Sequence, residues 1–173
     1  MASRAAIRNE GNEAEERFLK LVADARTGDQ AKKGDAIVTV DGADSYVEIK
    51  QCQSSGGTIN QVRAIKYIPC VIWAPSFGGW FILSPDQLVE LALHKKRGQH
   101  TEISFECINF GLRSIPESLH TTCKDEKLSE MVHMAIRRGR RHPRLQMAMR
   151  DLLKDIQSLK QNYINQVSKL ISE

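Results

Sequence analysis

Residues 34–52 read GDAIVTVDGADSYVEIKQC, and this stretch constrains the chain more than any other. Two alternating, β-branched runs, DAIVTV and SYVEIKQ, flank the turn sequence DGAD, so the segment is expected to close as a β-hairpin. With the turn centred on Gly42–Ala43, antiparallel pairing sets Asp35 opposite Lys50 and Ile37 opposite Glu48. Side chains alternate along a strand. Glu48 and Lys50 therefore share one face with Asp35 beside them, while Val47 and Ile49 fill the other. A hairpin of otherwise apolar character thus carries two carboxylates and an ammonium at one end.

Those residue types have a defined chemistry. Hard divalent cations such as Mg²⁺ take oxygen ligands and keep several waters, so one or two carboxylates and a substrate phosphate complete their shell. Asp35 and Glu48 are the expected ligands. Lys50 is placed to orient an attacking water, or to stabilise charge building on phosphate. Desolvation would lower its pKa and open a general-base role. The plain alternative is a surface salt-bridge trio. A carboxylate two residues before a lysine is common, and Asp125–Lys127 repeats it elsewhere.

The flanking pattern predicts an α/β chain. Residues 4–25 read as a helix, with Phe18, Leu21, Val22 and Ala25 on its apolar stripe. Glu16 and Glu13 then face solvent, while Glu10 and Glu15 lie at the stripe's edges, from which a carboxylate can reach into a cleft. RTGDQAKKG reads as a loop, and TINQVRAIKY as a short helix capped by Thr58. CVIWA and WFILS read as strands, and SPDQLVELALHKK as a helix opened by Ser84 and Pro85. Residues 97–125 are expected to add at most one edge strand. From Lys127 the chain reads as two helices divided at RRGRRHPR.

These pieces resemble the PD-(D/E)XK nuclease superfamily, whose pattern is a helical Glu, then Asp, then [DE]-x-Lys across a hairpin. Here they are Glu15, Asp35 in GDAIV, with Gly34 in place of the proline, and Glu48-Ile49-Lys50. The helix GNEAEERFLKLV is similar to the opening helix of archaeal Holliday-junction resolvases, which maps their metal-site Glu onto Glu15, with Glu10 the other candidate. The Ser/Gly-rich loop that such resolvases carry before the Asp is absent. The segment RGQHTEISFEC and the C-terminal helix go beyond a minimal resolvase core and are similar in plan to small type II restriction endonucleases.

The resemblance implies a restriction-endonuclease-like αβα sandwich with a mixed sheet, plus a helical C-terminal extension. Residues 1–125 would be the nuclease core, and 126–173 a DNA-binding and dimerisation extension of the same compact domain. It implies an Mg²⁺-dependent endonuclease, with Mn²⁺ able to substitute, that cuts double-stranded DNA. Glu15, Asp35 and Glu48 would hold the metal, and Lys50 would complete the catalytic set. The alternatives are a junction resolvase, or a non-catalytic DNA-binding protein on the same fold. All four motif positions are filled, which counts against the last.

Charge adds a partner expectation. The net charge is +4, and Arg137, Arg138, Arg140, Arg141 and Arg144 crowd into eight positions without an intervening carboxylate, as a phosphate-binding surface would. Gln61, Arg63 and Lys66, just after the motif, are further DNA-contact candidates. Leu145, Met149, Leu152, Ile156, Leu159, Tyr163, Val167 and Leu170 follow steps of four and three, a near-heptad seam expected to pair with a second copy. The opening MASRAAIRNEGNEAEERF has no apolar signal region, and YIPCVIWAPSFGGWFIL is too short and broken to cross a bilayer. The expectation is a cytoplasmic protein with no membrane partner and with free thiols at its four cysteines.

Overall fold

The computed structural model describes residues 4–172 apart from 31 and 54, with side chains from residue 13 to 171 apart from the same two. In chain order the elements are α1 (Arg4–Leu21), β1 (Ala25–Thr27), β2 (Ala36–Val40), β3 (Ala43–Gln51), β4 (Thr58–Val62), β5 (Cys70–Ala74), β6 (Gly79–Leu83), α2 (Pro85–Leu93), β7 (Ile108–Gly111), β8 (Thr121–Cys123), α3 (Asp125–Arg140) and α4 (Pro143–Ser172).

One six-stranded sheet runs in the order β1-β2-β3-β5-β6-β8. β3 and β5 are parallel and the other neighbours antiparallel, so this is an α/β protein on a mixed sheet. Alternation along the strands builds a core on each face. On one side Val38, Val47, Val71 and Ile82 meet Phe18 of α1 and Leu128, Val132 and Ile136 of α3. On the other, Ile72 and Leu83 meet Leu88 of α2, Ile108 and Phe110 of β7, and Met149 of α4. Trp80 is fully buried, and its indole N–H is satisfied by Asp125 at 2.8 Å.

The hairpin forms as expected, but its register differs by two residues. Val40 pairs with Ala43 and Ile37 with Tyr46, so the turn is the two residues Asp41–Gly42. Both have positive φ, 53° and 74°, as the Asp-Gly turn that matches strand twist requires. A two-residue shift preserves the alternation, so Asp35 keeps to the Glu48–Lys50 face and draws level with Glu48 rather than Lys50.

Residues 58–67 are not a helix. Thr58–Val62 is a strand paired with β7, followed by a short 3-10 turn over Ala64–Lys66. Ile59, Val62 and Ile65 are spaced three apart, which suits a helix. Here a bulge at Asn60–Gln61 meets the same spacing by returning Val62 to the buried side. The helix expected over 4–25 stops at Leu21, and Ala25–Thr27 pairs with β2 instead. Residues 97–125 supply two strands, β7 in the small sheet and β8 at the edge of the large one. Ser84 and Gln87 form a capping box on α2, with Pro85 in its first turn. α3 and α4 divide at Arg141–His142, within RRGRRHPR.

Candidate active site

Asp35 stands just ahead of β2 and is held by β3 at two points. Its N–H donates to the Val47 carbonyl at 2.9 Å, and its Oδ2 accepts from the Ile49 N–H at 2.7 Å. Glu48, only 8% exposed, lies on the adjacent central strand. Its two oxygens each meet an ammonium: Lys50 Nζ is 2.9 Å from Oε1, and Lys66 Nζ is 2.9 Å from Oε2. A buried carboxylate requires such compensation.

α1 brings Glu15 into a pocket that it lines together with Asp35. Gln51, the last residue of β3, fastens the helix: its Oε1 accepts the Ala14 N–H at 3.2 Å, and its Nε2 donates to Glu13 at 3.2 Å. Ala14 is buried, Glu13 and Glu16 are exposed, and Glu15 is half-buried between them, the edge position its spacing implied. The Glu10 side chain lies outside the described residues.

The groups sense one another. Burial, then repulsion from Asp35, pushes the Glu15 carboxyl above its ordinary value. Burial likewise raises Asp35; the Ile49 N–H opposes this and Glu48 adds to it. Burial works against a charged Glu48, yet Lys50 and Lys66 hold its carboxyl below the usual range. Burial also works to lower Lys50, but the Glu48 carboxylate outweighs it and the ammonium is raised, opposite to the expected direction. Beneath them the Cys70 thiol, paired across from Glu48, is pushed up by burial to about 12.

The donor set of carboxylates suits a hard cation. Among the described residues, the Asp35 carboxylate has no hydrogen bond beyond that from Ile49, and Glu15 has none. Both Glu48 oxygens are spent on lysines, and among the described residues no three His, Cys, Asp or Glu side chains gather closely enough to hold a metal ion as they stand.

The DNA-contact candidates divide in two. Gln61, Arg63 and Lys66 line one cleft of about 990 Å³, bounded by Asn109 of β7 and by Gln157 and Lys160 of α4. Lys32, from the loop before Asp35, lines it too. Gln61 belongs to β4 and Lys66 to the 3-10 turn, not to a helix. The arginine run lies outside that cleft, although Arg140 lines a second pocket together with Lys66. Arg137 bridges Asp41 with two hydrogen bonds of 2.9 and 2.8 Å, and Arg138 meets Asp86 at 2.8 Å. Arg140 caps the hairpin through the Val40 and Ala43 carbonyls and Ser45 Oγ. That end of β3 is roughly 20 Å from Lys50, at about 3.3 Å per residue. Arg141 and Arg144 are exposed.

Sequence reasoning missed Gln51 as a helix anchor, Lys66 as a partner of Glu48, and Lys32 and Lys160 as cleft residues. Only their nearness to the motif in sequence marked the first two. No family model, curated protein or solved structure matches this chain. No helix among the described residues is long and apolar enough to cross a membrane.

Proposed function

We propose that this chain is an Mg²⁺-dependent endodeoxyribonuclease with a restriction-endonuclease-like core, a type II restriction enzyme that cuts double-stranded DNA as a cytoplasmic homodimer. One observation carries the reading: Asp35, Glu48 and Lys50 meet at one end of a hairpin, and Glu15 of α1 lines a pocket with Asp35. The antiparallel β1-β2-β3 meander followed by a parallel β5 supports the same core, although the crossover holds a strand and a 3-10 turn where a helix was expected.

Asp35 and Glu15 would offer carboxylate oxygens to the metal, and Glu48 would add one on exchanging its Lys66 contact for the cation. Bound there, the cation would polarise the scissile phosphate and acidify a water. Lys50, held by Glu48 and kept protonated, orients that water and offsets charge on the phosphate. The homodimer proposal rests on α4, whose final turns carry an uncovered apolar stripe.

The test is incubation of the purified protein with plasmid DNA and Mg²⁺, beside EDTA and Lys50→Ala controls. Discrete fragments lost in both controls are expected. Cleavage of four-way junctions but not of plasmid would make the chain a junction resolvase. A folded protein that cuts neither is not a nuclease.

A further inference from the structure

β4 and β7 form a ribbon separate from the main sheet, and its ladder breaks at one point. Ile59 pairs with Phe110 and Val62 with Ile108, so Asn60 and Gln61 together face Asn109 alone. Such two-against-one bulges re-aim side chains beside functional sites. Gln61 holds φ +56°, a left-handed conformation that disfavours any residue with a Cβ. Its N–H, displaced from the ladder, is taken by Asn109 Oδ1 at 2.8 Å. Ile59 and Val62 on either side are buried, while Asn60, Gln61 and Asn109 are exposed. The ribbon therefore tolerates strain to present three amides at one point of the cleft.

The same cleft contains Arg63, Lys66 and Lys160. Lys66 is also the residue whose ammonium holds Glu48, so that ion pair joins the wall of the cleft to the carboxylate cluster, whose Glu15 and Asp35 line a neighbouring pocket. Glu106 is the cleft's one carboxylate among the described residues, and Lys160 is paired with it. The walls thus combine cations for a phosphate backbone with neutral groups that carry a donor and an acceptor side by side. Cations on phosphate set position without reading sequence, whereas amides discriminate. The major groove admits a two-stranded β-ribbon, and an Asn or Gln amide matches the adenine N7 acceptor and N6 donor there.

Resting on the nuclease reading above, we infer that the Asn60–Gln61 bulge, braced by Asn109, is the base-reading element for the double-stranded DNA this protein cuts, and that it selects adenine.

The inference is tested without cleavage by letting Lys50→Ala protein select from a randomised duplex pool in Mg²⁺ and sequencing what it retains. An enriched motif is expected in which adenine is favoured about tenfold or more at positions that lose this preference when Asn60→Ala and Gln61→Ala are added. Retention of unselected duplex should change by less than about threefold. Gln61→Gly guards against misfolding, because glycine suits φ +56°. It should unfold no earlier than the parent and still weaken the adenine preference. A motif unchanged by these substitutions overturns the inference. So does plasmid cleavage by the unsubstituted protein with no enriched motif, and that result leaves the nuclease reading standing. Absence of metal-dependent cleavage by the unsubstituted protein removes both.

Discussion

Lys66 is eighteen residues beyond Glu48 in sequence, and its Nζ lies 2.9 Å from Glu48 Oε2 in a largely buried pair. Removing it leaves a buried carboxylate with Lys50 as its one remaining ammonium. Hydrogen bonds to charged groups contribute about 1.5–3 kcal/mol, so Lys66→Met should lower stability by about 2 kcal/mol in urea unfolding. The pair is coupled. Glu48→Gln combined with Lys66→Met should cost less than the two single changes added together, and simple additivity would show that the contact contributes nothing.

Asp35 separates folding from chemistry. Its Oδ2 takes the Ile49 N–H at 2.7 Å, and the amide oxygen of an asparagine accepts the same bond. Asp35→Asn also removes a charge that Glu15 and Glu48 repel. The variant should unfold at or slightly above the parent's temperature while DNA cleavage falls by about 100-fold or more. Unaltered cleavage would exclude Asp35 from the reaction.

The elements read correctly from sequence are those set by neighbours in the chain. Asp-Gly between alternating runs fixes the hairpin, Ser84 and Pro85 mark the start of α2, and the spacing of Ala14, Phe18 and Val22 puts Glu15 at the edge of its helix. The register error did little harm, because a shift of two keeps every side chain on its face. What was not legible depends on distant partners. The β4 bulge imitates a helical period, and β7, which gives β4 its ladder, lies more than forty residues on. The arginine run shows no nearby carboxylate, yet folding delivers Asp41 and Asp86 to it. Nothing local pairs Lys66 with Glu48, so that contact was not legible in the sequence.

Asp125 sets a pH dependence. Burial opposes its charge, but the Trp80 indole N–H at 2.8 Å and the Arg17 guanidinium hold its carboxyl below the ordinary value. A depressed pKa stabilises the folded state fully above the unfolded value, about 3.9, and that contribution disappears as pH falls through the lower folded value. Asp125→Asn should therefore cost about 1 kcal/mol at pH 7, allowing for partial solvent screening. The gap from the parent should close below about pH 4. Urea unfolding at several pH values measures it, and a gap independent of pH would contradict the assignment.

Arg140 and Arg63 should behave as opposites. The Arg140 guanidinium bonds the Val40 and Ala43 carbonyls at 2.8 and 2.9 Å and Ser45 Oγ at 2.9 Å, so Arg140→Ala should cost about 1–3 kcal/mol without altering DNA binding. Arg63 lines the cleft and has no carboxylate partner among the described residues. Arg63→Ala should change stability by less than about 0.5 kcal/mol while reducing the salt slope of DNA binding by about one. Fluorescence anisotropy across a KCl series reads both. Equal salt slopes for Arg63→Ala and the parent would place the DNA elsewhere.

α4 is the element with the most uncovered apolar surface. Its 30 residues span about 45 Å. Leu145, Met149 and Leu152 pack on the domain, while Leu159, Tyr163 and Leu170 are 67%, 69% and 71% exposed. Between Gln161 and Ser168 the helix carries no charge, so two copies laid side by side would not repel there. The protein should sediment as a dimer, and Leu159→Glu with Tyr163→Glu should make it monomeric by placing charge on that seam. Since neither residue is part of the buried core, far-UV circular dichroism of the region up to Met149 and the main unfolding transition should change little. A monomeric parent at micromolar concentration would remove the homodimer and, with it, concerted cutting of both strands by paired sites.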